Sequence, residues 1–160
     1  MAMNLTVYQH PKTDQILKQT EDSISNPDKK KRFQFLLPAL SNDENVRDEF
    51  FDSFKDEKNR EKESWVLSAA NLINHPLRQK TAIKHLQLSL DLVEEIQRTG
   101  DIFFPKAWLN STIGNYSGKE AYDILQNFLN SHPDFSPILK KKLLQSTDDL
   151  YRAQMTMIEK

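Results

Sequence analysis

The sequence has no cysteine, and only three glycines and four valines in 160 residues. Without cysteine there is no disulfide, no thiolate zinc site and no thiol nucleophile. The glycines, at Gly100, Gly114 and Gly118, sit singly. Phosphate-cradling loops need glycines clustered where the backbone approaches phosphate, so a P-loop and a Rossmann fingerprint are excluded. No apolar run approaches the roughly 20 residues needed to span a bilayer. The stretch Met1 to His10 lacks the basic and apolar regions of a signal peptide. Charge of one sign is lacking too. Lys and Arg number 22 against 23 Asp and Glu, a net charge of −1. No bulk field therefore draws the chain to nucleic acid or to an anionic membrane. The expectation is a soluble chain, a single helical domain over 1–160, with neither nucleic acid nor membrane as partner.

What is present points to helix. Leucine outnumbers valine 19 to 4. Valine's branched side chain is stiff against the preceding helical turn and leucine's is not. Apolar residues recur at helical spacing and alternate almost nowhere. From Pro76 to Arg98, Ile83, Leu86, Leu90, Val93 and Ile96 fall on one face, with Leu88 and Leu92 beside it. Gly100 follows where a left-handed stop residue would stand. Ser41–Glu44 and Ser117–Glu120 read as capping boxes. Asn26-Pro27 sets a capping side chain before a first-turn proline, and Phe104-Pro105 and Ser136-Pro137 repeat that proline. Pro38 should kink or end its helix.

These signals predict eight helices, near 12–24, 27–40, 43–55, 60–74, 76–98, 105–114, 118–131 and 136–158. Taken in pairs they begin near 12, 43, 76 and 118, at lengths similar to the roughly 34–47 residues of helical-hairpin repeats. The predicted fold is all-α: an irregular, HEAT-like α-solenoid of about eight antiparallel helices in pairs.

Residues able to carry chemistry are few. His10, His75 and His132 each precede a proline, which pushes them out of the α region and into junctions between helices. Only His85 lies within a helix. Nothing in their spacing brings two or three beside a carboxylate, as a zinc site requires. Neither H-E-x-x-H nor G-x-S-x-G occurs. The acidic pairs Glu94-Glu95 and Asp148-Asp149 are sequence neighbours that diverge around a helix, so they form no catalytic dyad. The run Lys29-Lys30-Lys31-Arg32 reads as a charged first turn ahead of Phe33, Phe35, Leu36 and Leu37. No catalytic residue, metal ligand or cofactor site is assigned. The most unusual stretch is Thr99–Leu109. There three aromatics and two apolar residues surround a helix stop and a helix start, either plugging the helix ends or facing a ligand or partner domain.

That stretch, with Glu95-Ile96-Gln97-Arg98 before it, resembles the C-terminal region of bacterial zinc aminopeptidases of the aminopeptidase N type. Further pieces are similar in the same order. They are Arg32-Phe33 with Leu37-Pro38-Ala39-Leu40, Asn59-Arg60-Glu61 with Trp65-Val66-Leu67, Asn74-His75-Pro76-Leu77-Arg78, Phe128-Leu129 with His132-Pro133, and Leu143 to Ala153. The resemblance runs from about Tyr8 to Ala153.

The resemblance implies a helical C-terminal domain of HEAT-like repeats that closes over a thermolysin-like catalytic domain. The zinc motif and the glycine-rich exopeptidase motif of that family lie outside this chain. Zinc is thereby expected in the catalytic domain, which becomes the partner, and peptide substrate reaches this chain through it. The chain would be the helical portion alone, walling the active-site chamber. In the related leukotriene hydrolases, basic residues of a comparable segment meet the substrate carboxylate. Asp101 and Phe103 stand at those positions here, and neither is basic. Arg98 and Lys106 are the nearby cations. Arg98, Asp101, Phe103 and Lys106 are thus the candidate substrate-facing residues. The competing expectation is a free-standing α-solenoid that binds protein through a concave face.

Overall fold

The computed structural model describes residues 2–8 and 10–158. Every regular element among them is helical, and none is long and apolar enough to cross a membrane. Two compact units divide the chain, Met1–Arg78 and Gln79–Lys160.

In the first unit, α1 is Ala2–Val7, α2 Thr13–Ser23, α3 Pro27–Leu40, α4 Glu44–Asp52 and α5 Glu63–Ile73. Short 3-10 turns occupy Ser53–Lys55, Glu57–Arg60 and Pro76–Arg78. The helix α3 is the hub, packing against α1, α2, α4 and α5. It starts as its sequence directs. Pro27 fills the first turn, and the Asn26 Oδ1 accepts from the amides of Asp28 and Lys29, each at 3.0 Å. Phe33, Leu36, Ala39 and Leu40 are buried. An aromatic cluster fills the space beside them. Phe35 meets Phe50 at 5.4 Å and Trp65 at 5.6 Å, and Phe54 meets Phe50 at 5.1 Å.

Pro38 does not stop α3, which runs on to Leu40. Two arginines from later in the chain hold its end. The Arg78 guanidinium donates to the carbonyls of Ala39 at 2.7 Å, Leu40 at 3.3 Å and Ser41 at 3.4 Å. Arg47 donates to the Ser41 carbonyl at 2.7 Å. The carbonyls that a helix end leaves without amide partners are held by buried cations, which the negative end of the helix dipole favours.

Other expectations are corrected here. A helix precedes residue 12: α1 is under two turns long, too short to register as a periodic pattern. At α4 the cap is Asp43, not Ser41. Asp43 Oδ1 accepts from Asn45 at 2.9 Å, while Ser41 Oγ accepts from Asp43 at 3.1 Å. Before residue 119 the cap position falls on Gly118, which has no side chain to accept a bond, so no capping box forms.

In the second unit, α6 is Gln79–Ala82, α7 His85–Asp91, α8 Val93–Thr99, α9 Phe104–Thr112, α10 Lys119–Ser131, α11 Pro137–Ser146 and α12 Asp148–Ile158. The helix α9 is the hub, packing against α7, α8 and α11, while α10 packs on α7 and α12. Phe104, Trp108 and Leu109 are at most 2% exposed, so this helix is core on its inner face.

The expected single helix over 76–98 is interrupted three times: Pro76–Arg78 is a 3-10 turn, Ile83 and Lys84 separate α6 from α7, and Leu92 separates α7 from α8. One turn earlier, Ser89 makes two bonds beside the ladder. Its hydroxyl donates to the His85 carbonyl at 2.8 Å, and its own carbonyl accepts the Trp108 indole N–H at 2.9 Å. The apolar face survives the break, with Leu86, Leu90, Val93 and Ile96 all buried. The expected helix over 136–158 breaks at Thr147. Thr147 Oγ1 donates to the Leu143 carbonyl at 2.9 Å and Ser146 Oγ to the Lys142 carbonyl at 3.0 Å, so both hydroxyls compete with the ladder. Gly100 is extended, at φ −96° and ψ 177°, not left-handed.

Candidate functional site

The turn between α8 and α9 is where the chain departs from burying its aromatics. Asp101 sets it. Its Oδ1 accepts from the amides of Phe103 at 2.6 Å and Phe104 at 3.2 Å, which satisfies free donors at the start of α9. At that turn the chain passes from exposed to buried within one residue. Phe104 enters the core, while Ile102 and Phe103 stand 73% and 75% exposed.

Two residues of α9 and α11 complete a groove beside them. Lys106 and Lys142 are half-buried, and Ile138 at the start of α11 is 69% exposed. With Gln97 and Ser136 these residues line a groove of about 670 Å³. No aspartate or glutamate is among its lining residues.

The two ammonium groups are fixed by uncharged oxygens. Lys106 Nζ donates to Ser146 Oγ at 2.9 Å and to the Lys142 carbonyl at 3.3 Å. Lys142 Nζ donates to Gln97 Oε1 at 3.0 Å and to the Ile102 carbonyl at 3.4 Å. Burial pushes the Lys106 pKa below the ordinary lysine value. Chemically, the arrangement is an apolar cleft edged by two cations. Behind Lys106 the Ser146 hydroxyl is buried and donates to the Lys142 carbonyl at 3.0 Å.

The four candidate residues therefore separate. Phe103 and Lys106 share the groove. Asp101 serves the backbone of the turn. Arg98 is exposed in the last turn of α8 and does not line the groove. Lys142 and Ile138 belong to the site and were not anticipated. Their only local signal is the run Lys140-Lys141-Lys142 following Ser136-Pro137.

The histidines take structural positions. His10 Nδ1 accepts from the Lys12 amide and His75 Nδ1 from the Leu77 amide, both at 3.2 Å. The His132 ring stacks on Phe128 at 4.3 Å. His85 is 5% exposed. Among the described residues, no three His, Asp or Glu side chains gather into a group able to hold a metal ion. In the first unit, burial and the charge of Arg47 bring the Arg78 pKa down to about 10. Burial and the Arg78 charge lower that of His75.

No family model matches this sequence, and no curated protein or solved structure matches it significantly.

Proposed function

We propose that this chain is the non-catalytic, HEAT-like helical domain of a bacterial zinc aminopeptidase of the aminopeptidase N type. Its role is to wall the chamber and shape peptide access. A separate domain removes N-terminal residues with zinc-activated water. Three things support this reading: the ordered run of family-like segments from Tyr8 to Ala153, the wholly helical secondary structure of the described residues, and the character of the α8–α9 turn. The observation that carries it is the last. The segment with the densest resemblance is also the one that holds Ile102 and Phe103 in solvent beside Lys106.

The second reading, a free-standing α-solenoid for protein interaction, draws on the same exposed groove. Kinetics separate the two. In the polypeptide carrying this chain, Phe103→Ala and Lys106→Ala are expected to change the specificity constant for longer peptides more than for single-residue chromogenic substrates. Only a peptide extends far enough from the zinc to reach a helical wall. An unchanged length dependence in both variants contradicts a substrate-facing turn.

A further inference from the structure

The groove of the second unit has a composition that specifies its occupant. Its apolar side chains, Ile102, Phe103 and Ile138, are at least 69% exposed. Its two cations, Lys106 and Lys142, are half-buried, and the oxygens they bond among the described residues are uncharged. A carboxylate would add a charge-assisted bond to these ammonium groups, stronger than those they make to uncharged oxygens. We propose that this groove is a docking site for a protein segment whose apolar side chains are flanked by carboxylates. The apolar residues cover Ile102, Phe103 and Ile138, and the carboxylates pair with Lys106 and Lys142.

Charge complementarity selects this occupant. The groove offers two positive groups and no negative one, so an acidic segment is steered toward it and a basic segment is repelled. Concavity selects a segment over a lipid surface. A cleft of about 670 Å³ presents its lysines inside walls formed by α8, α9 and α11, where a planar membrane meets only the rim. The partial burial of both lysines also fixes them in advance of binding. Each is held by two hydrogen bonds, so little side-chain freedom is lost when a carboxylate arrives. This inference stands apart from the aminopeptidase reading, because the chemistry of the groove is the same in a free-standing chain.

The test is fluorescence anisotropy on the full chain. The probe is a short labelled peptide in which glutamates flank a leucine and a phenylalanine. Its comparator carries glutamine at those positions, and phosphatidylserine vesicles provide the lipid arm. The acidic peptide is expected to bind saturably and at least about tenfold more tightly than the glutamine peptide. The double variant Lys106→Glu, Lys142→Glu should weaken it by about tenfold or more. Phe103→Ser should weaken it similarly. That site is exposed, so this variant reports on the groove even if the charge reversals disturb α11. Equal binding of the two peptides, unchanged affinity in the variants, capture by vesicles in place of peptide, or no saturable binding would each overturn the proposal. Those results leave the aminopeptidase reading intact, since that reading is decided by the zinc and activity of the native polypeptide.

Discussion

The Trp108 indole N–H donates to the Ser89 carbonyl at 2.9 Å, and both residues are fully buried. One bond thus ties α9 to α7, one turn before the helix is interrupted at Leu92. Trp108→Phe keeps most of the ring and removes the donor. It should cost about 1–3 kcal/mol, because a buried acceptor loses its partner. Trp108→Ala removes the ring as well and should cost about 3–5 kcal/mol. Urea unfolding monitored by circular dichroism gives both values. A Trp108→Phe cost near zero would mean that the indole N–H contributes nothing, and equal costs for the two variants would mean that the ring does not.

Arg78 holds the end of α3 from across the first unit. Replacing it with Met removes a guanidinium bonded to three consecutive carbonyls, and should cost about 3 kcal/mol or more. Lys at this position supplies a point charge without the planar fork, so Arg78→Lys should recover only part of the loss. Denaturation midpoints of the two variants and the parent decide it. Full recovery by Lys would show that charge alone is what the helix end requires.

His75 gives the first unit a pH dependence of definite sign. Burial and then the Arg78 charge lower its folded pKa below the ordinary value. The unfolded chain therefore binds the proton more readily. Stability should fall as pH drops through about 6.5 and toward the folded pKa, and should be independent of this group above that range. His75→Gln should flatten the acid slope. Histidine titration by proton NMR should place one ring below the ordinary range, and that resonance should vanish in the variant. A His75 pKa at or above 6.5 contradicts the packing described.

Two glycines predict opposite tolerances. A Cβ on Gly114 would lie 2.7 Å from the Asn110 carbonyl oxygen, a backbone atom that cannot swing aside. Gly114→Ala should cost about 1–3 kcal/mol by overpacking. A Cβ on Gly118 meets nothing within 4 Å, and its φ of −79° suits any residue. Loss of a favourable cap position and the gain from a stiffer unfolded chain oppose each other there, so Gly118→Ala should stay within about 0.5 kcal/mol. Thermal melts of the pair test both.

Local signals were legible and long-range ones were not. Asn26-Pro27 announces the start of α3, and the helical spacing of Leu86, Leu90, Val93 and Ile96 announces a buried face. Both need only neighbours in sequence. Arg78, some 40 residues on, bonds the carbonyls at the end of α3, and Trp108 bonds the Ser89 carbonyl ahead of the break at Leu92. No local pattern encodes either. The site divides the same way. The Thr99–Leu109 stretch stood out by composition, which led to Phe103 and Lys106. Lys142 and Ile138 reach the groove only because α11 packs on α9.

The proposed place of this helical chain in a zinc aminopeptidase is tested most directly on the native polypeptide. Antibody raised against the chain can capture the native polypeptide that carries it. The captured material should be a polypeptide much longer than 160 residues. It should contain about one zinc per molecule and release N-terminal residues from peptides in a chelator-sensitive way. A polypeptide of this length alone, with no zinc and no associated aminopeptidase activity, would contradict the claim.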